Sequence, residues 1–496
     1  MGISFNEIGN IRTPGAFSEF RADRATSNLG LTRQRLIIGQ RLSIGTVAEG
    51  VVIEVSSLDL AKDAAGVGSH FADMVEKLLE NDTSLRLRGI LLDDNGAGVA
   101  NVKTIIVTGT ATTAATLSIY IAGQVVQVAV TSGDTANDIA ANIEAALTSD
   151  PDILYTASVT TNVVTITAKH KGEWTQKLPV SINPFPPTKG GNEALPGGVT
   201  FAVANTVTGS GNPDISTALS VIPDEVVNYV LMPYNDDPNL DKLDTELASR
   251  NTALKQNEGH GWNAFAGTLS DATTFGGFRN SQHNTTMHSG NGSLSPEHHW
   301  AAAYFAIFTS IAAIDPARPV HFRKLIGILA EPEENILLRE ERDILLNNGV
   351  ATHRVDPNGD VIIGREITNY QRNTGGQPDT SFLDSQTSLT LSDLRQTWLQ
   401  LMISKYLSQG FKLVKDGGNI APGQKIVSPS ILRGEAISLC QEWIDIGLVE
   451  PGAKAKFKEL LIVQINDTDV NRVDIEQSPD LVNQLRIIAN LIRFIL

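Results

Sequence analysis

The residues with the most chemical potential are histidines. His283, His288, His298 and His299 fall in one short stretch, with Glu297 beside the last pair. Imidazoles and a carboxylate form a zinc donor set, but zinc favours fixed short spacings on rigid elements. The stretch holds no HExxH, and His283 and His288 sit among Ser, Asn and Gly. On a helix, the adjacent His298 and His299 point about 100° apart. The spacing therefore favours solvent or interface histidines over a metal centre. His70, alone on a helical pattern, reads as packed or solvated. Asp236 and Asp237 follow an apolar run, and magnesium could sit at such a strand end. A turn and helix cap before Pro238 is the preferred reading.

Other signatures are missing. Gly96-Ala-Gly98 lacks the third glycine of a dinucleotide fingerprint, and there is no GxxxxGK[ST] and no GxSxG. The one cysteine, Cys440, allows no internal disulfide and reads as a small core residue. No catalytic residue, metal ligand or cofactor is assigned, and the chain is read as a non-enzyme. A metal-dependent or protease-like hydrolase built on the histidines is the rival.

The elements that would position these residues read as α/β. Val51–Val55 and Thr104–Val107 are candidate strands, with a helix over Val67–Glu80 between them. Residues 110–185 change to a period of two. Leu117, Ile119 and Ile121 alternate, as do Val126, Val128 and Val130, and Asp134 can cap a helix through Ile139, Ile143 and Leu147. Two further strands make a β-β-α-β-β unit inserted into an α/β core. The core resumes at Val226–Met232, with helices expected at Asn239–Leu254, Pro296–Ile314 and Glu333–Asn347. A hairpin joins Val350–Val355 to Val361–Arg365. An α+β region then starts near 385, with helices capped by Ser392 and Ser428 and Pro429 at a first helical position. The expected divisions are 1–40, 41–108, 109–212, 213–384, 385–484 and 485–496.

Charge is uneven. The total is −16, but residues 1–41 carry six Arg against three acids, residues 42–384 are net −19, and the remainder is neutral. An acidic body argues against nucleic-acid binding. The basic N-terminal segment could dock on an acidic body, including a neighbouring copy's, or be a solvated tail. The start of the chain shows no signal-peptide pattern. The longest apolar stretch, Trp300–Ile314, is too short to span a bilayer, so no membrane insertion is expected. The ends stand out. Residues 1–40 read as an extended arm with a strand near Arg35–Ile38. Nine of the last twelve residues are apolar, with no polar tail. That end fits a helix of its own domain or a strand added to another copy's sheet.

Several stretches together resemble the tail sheath proteins of Mu-like contractile bacteriophages. They are ISFNEI and PGAFSEF near the start, LSIYIAGQVVQVAVTSGDTANDIAANI and ITAKHKGE in the inserted unit, VVNYVLMPYND, WAAAYFAIFTSIAAIDPARP, GDVIIGREITNYQ, PDTSFLDSQTSLTLSDLR, PGQKIVSPS with RGEAI, and PDLVNQLRIIANLIRFIL at the end. They cover most of the chain in order, and none is a catalytic signature. The resemblance implies a subtilisin-like three-layer core without protease function. It implies stacked hexameric rings around a tail tube, with baseplate and tail terminator proteins as further partners. It also implies a place in the virion after assembly in host cytoplasm. The terminal arms would join neighbouring subunits. Ile3, Phe5, Ile8, Phe17, Leu36, Ile37 and Ile38 would serve in the N-terminal arm. Leu485, Ile487, Ile488, Leu491, Ile492, Phe494, Ile495 and Leu496 would serve in the C-terminal arm. The sheath of a contractile bacteriocin or secretion machine is the related alternative.

Overall fold

The computed structural model describes residues 33–495, apart from 85, 190, 223 and 419–422. The chain enters through strand β1 (Arg35–Gln40), six residues buried on both faces, as a central parallel strand requires. It continues through β2 (Val52–Val55), helices α1 (Leu58–Ala65) and α2 (His70–Asn81), and β3 (Leu87–Leu92). Ser69 accepts from the Ala72 N–H and so starts α2.

An inserted unit follows: β4 (Val102–Gly109), β5 (Ala115–Ile121), β6 (Gln124–Val130), α3 (Ala136–Ser149), β7 (Tyr155–Thr160), β8 (Val163–Ala168), β9 (Val180–Ile182) and β10 (Val199–Val207). The β-β-α-β-β order is present, but its strands divide between two sheets, β10-β4-β8-β7 and β6-β5-β9. Helix α3 packs on strands of both sheets through Ile139, Ile143 and Leu147. Two expectations are corrected. Thr104–Val107 lies in β4 and pairs with β8 and β10, so it belongs to this unit and not to the core sheet. Thr135, rather than Asp134, caps α3, in a reciprocal box with Asp138.

The core resumes with α4 (Ser216–Val221), β11 (Tyr229–Leu231), α5 (Asp237–Arg250), β12 (His260–Phe265), α6 (Leu269–Gly277), β13 (Asn284–His288) and α7 (Glu297–Ala312). The core sheet has the order β13-β12-β11-β1-β3-β2, parallel except where β2 meets β3. Alternate residues of β1 feed opposite cores. Leu36 and Ile38 join Leu240, Leu243 and Leu247 of α5, whereas Ile37 joins Phe71 and Met74 of α2 and Phe305 and Phe308 of α7. The result is a three-layer α/β/α core. Helix α2 lies close on the sheet because Gly39 and Gly89 leave room for Phe71. A Cβ at Gly89 would stand 2.3 Å from the Phe71 ring.

Leu36, Ile37 and Ile38, expected in the N-terminal arm, are core residues at 0–1% exposure. Their strand bonds β3 and β11 within the same chain, so its edges are already occupied. Ile3, Phe5, Ile8 and Phe17 lie outside the described residues.

The C-terminal region contains α8 (Arg339–Leu346), the hairpin β14 (Thr352–Val355) and β15 (Val361–Arg365), α9 (Ser385–Met402), β16 (Lys412–Leu413), β17 (Ile426–Val427), α10 (Pro429–Asp445), α11 (Lys454–Leu460), β18 (Ile462–Ile465) and β19 (Val473–Glu476). The helix expected over Glu333–Asn347 is split into a short 3-10 turn and α8. Helix α9 starts at Ser385, two turns before the expected cap Ser392. Leu439, Cys440, Trp443 and Phe457 form a separate small core with Leu394 of α9.

Candidate assembly interface

Beyond the Leu481 bridge to Val449, residues 482–495 form neither helix nor strand within the chain. Leu485, Ile487, Ile488, Leu491, Ile492, Phe494 and Ile495 are 67–99% exposed. Leu496 lies outside the described residues. Burying a large aliphatic side chain yields about 1.5–3 kcal/mol, so covering seven would gain on the order of 10 kcal/mol. Against the described residues the segment realises little of that.

The segment is pinned at its root. Arg486 donates to the Glu366 carboxylate, to Asp384 at 3.0 Å and to the Gln386 side-chain oxygen at 3.1 Å. Glu366 is fully buried and also accepts from the Val320 N–H and the Gln386 amide. The other end of the described chain is held similarly. Arg33 donates both amino groups to Asp393 at 2.8 and 2.6 Å, and its Nε–H to the Ala313 carbonyl. Asp384, Gln386 and Asp393 all belong to α9 or its N-cap, so one helix anchors the roots of both terminal segments.

The histidines sit elsewhere, on the joint between core and inserted unit. His298 and His299, expected at a solvent-facing or interface position, are buried. Both rings reach one oxygen of Asp73, at 2.7 and 2.6 Å. His70, one turn before Asp73 on α2, stacks on Trp174 of the inserted unit at 3.9 Å between ring centroids. His170 accepts from the His70 N–H through Nε2 and donates from Nδ1 to Asp94, which also accepts from Gln40. Burial pushes Asp73 upward, but the imidazoles of His299 and His298 outweigh it and hold the carboxyl well below its usual range. Burial pushes His298 down to about 4 against the pull of Asp73, and His70 well below the ordinary histidine value. Glu297 turns away to Lys177 at 2.8 Å. His283 and His288 join neither group. His288 meets the Gly267 carbonyl, and His283 is half-buried beside Gln282. Asp236 caps α5, accepting from the Asn239 N–H, as the turn reading expects. No local pattern marks His170, Asp94 or Trp174. The i, i+3 pair of His70 and Asp73 was the one visible cue to this cluster.

Over its whole length the chain is 34% identical to the Mu-like prophage FluMu tail sheath protein of Haemophilus influenzae, covering all of both chains. The chain belongs to the phage tail sheath proteins. Residues 208–369 of this sheath protein match the family model described as the phage tail sheath protein central domain. It is also similar to the solved sheath tail protein of Desulfitobacterium hafniense, at 11% identity and a TM-score of 0.49, over 94% of this chain and 100% of that one. The anti-feeding prophage helical sheath in contracted state is similar at 10% identity and a TM-score of 0.46, over 97% and 99% of the two chains.

Proposed function

We infer that this sheath protein is a structural subunit that polymerises as stacked hexameric rings around a tail tube. Contraction of that polymer drives the tube through the host envelope. The observation that carries this reading is the exposed apolar segment after Arg486, which no described residue covers. A strand lent to another copy satisfies its backbone groups and buries its side chains. The hairpin of β18 and β19 offers a suitable acceptor. Among the described residues its two strands pair only with each other, and Ile462 and Val470 are exposed. The hairpin packs on α10 through Val463, while its outer strand edges stay unpaired among the described residues and can take an added strand.

The N-terminal segment before Arg33 would act as the second arm, with Ile3, Phe5, Ile8 and Phe17 as its apolar contacts. Both arms would leave from roots fixed on α9, so neighbours stay linked while bodies shift between two packings. The three-layer core is read as subtilisin-like in shape and non-catalytic. The tail tube, baseplate and tail terminator proteins are the other partners, in the virion tail after assembly in host cytoplasm. Electron microscopy of the purified chain tests this: the expected result is tubes or stacked rings, and a monodisperse monomer at high concentration contradicts it.

A further inference from the structure

The geometry points to a divalent transition-metal site of the zinc type, built by Asp73 of α2 with His298 and His299 of α7. It is independent of the polymerisation reading. One ligand atom from each of these buried residues lies within 4.8 Å of the other two. The donor set, two imidazoles and a carboxylate, is one that zinc accepts. A tetrahedral ion with bonds near 2.0 Å separates its ligands by about 3.3 Å. The imidazole nitrogens now stand 2.7 and 2.6 Å from Asp73 Oδ2, so each must open by about 0.6 Å, and the two nitrogens, within 4.8 Å of each other, must settle to the same spacing.

Two further observations favour an ion. Both ring nitrogens of His70 are buried without a hydrogen-bond partner, although the ring is fully enclosed. Its centroid lies 4.6 Å from that of His298, so this unsatisfied ring borders the three ligands without belonging to their group. A buried imidazole with neither nitrogen satisfied is costly as it stands. His299 Nδ1 is likewise buried and unpartnered. Metal binding requires the ring protons of both His298 and His299 to leave Nε2 for Nδ1, and the bonds to the ion then replace the two hydrogen bonds to Asp73. The charge also fits. Asp73 is a desolvated anion facing imidazoles, while the nearby Lys177 ammonium is taken by Glu297. An ion here would tie α2 to α7 directly beneath the inserted unit. The turn at Gly123 leaves no room for a Cβ, which would stand 2.6 Å from His299 Nδ1.

The test uses the full-length chain, stripped with chelator and then loaded with Zn2+ or Co2+ at neutral pH. The expected result is one bound ion per chain, a tetrahedral cobalt absorption band, and a melting temperature raised by Zn2+. Asp73→Asn and His298→Gln should lose stoichiometric binding. His299→Cys should keep it and add a thiolate-to-cobalt charge-transfer band, a readout that a purely structural histidine would not give. Absence of bound ion and cobalt band in the folded wild-type chain overturns the proposal. Equal binding by folded His298→Gln also overturns it. In either case the cluster is a hydrogen-bonded pair of histidines on a carboxylate.

Discussion

At the residue scale, buried charge decides most. Glu366 has no exposure, and Arg486 is the guanidinium set against it. Removing one partner of such a pair costs about 3–5 kcal/mol, because the other charge stays buried. Arg486→Ala should therefore destabilise the body by that order in urea unfolding, and Arg486→Met combined with Glu366→Gln should recover much of it. Buried neutral histidines set an acid limit. Burial, before the minor push from a neighbouring imidazole, takes His260 down to about 3 and His288 down to about 4. Both have folded values below the unfolded one near 6.5, so between these limits the unfolded state binds more protons. Stability should fall as pH drops from about 6.5 toward 4. Denaturant midpoints across that range should fall less steeply for His260→Asn than for the parent.

At the element scale, close approach is the controlling feature. Helix α2 reaches the sheet because Phe71 occupies the space a side chain at Gly89 would fill. Gly89→Val should cost about 1–3 kcal/mol through overpacking, read as a lower melting temperature. Much of the element pattern was legible in the sequence. The period of two in Leu117–Ile121, the Pro429 start of α10 and the apolar run of α7 all match. What was missed is tertiary. Nothing local says that Thr104–Val107 pairs with Val163–Thr165 and residues 201–204, since pairing partners distant in sequence leave no periodic signal. The early start of α9 was hidden because Ser385 and Gln386 are polar residues buried by contacts with Thr285 and Glu366. The histidine cluster was missed because Asp73 is more than two hundred residues from His298 and His299, so no motif could join them. The neighbouring positions of those two histidines suggested divergence, yet Asp73 sits where both rings can reach it.

At the scale of the whole molecule, the chain holds a large buried core and an apolar end that no described residue covers. The first forty-one residues are net positive against a strongly acidic middle, which suits association between unlike parts of neighbouring copies. The fixed root at Arg486 marks where the segment proposed to exchange between copies would begin: residue 487. The most direct measurement compares the full chain with one ending at Arg486, by electron microscopy and thermal unfolding in parallel. Exchange of the segment between copies requires a truncated chain that unfolds cooperatively near the parent melting temperature but forms no tubes. Normal tubes from the truncated chain would contradict it.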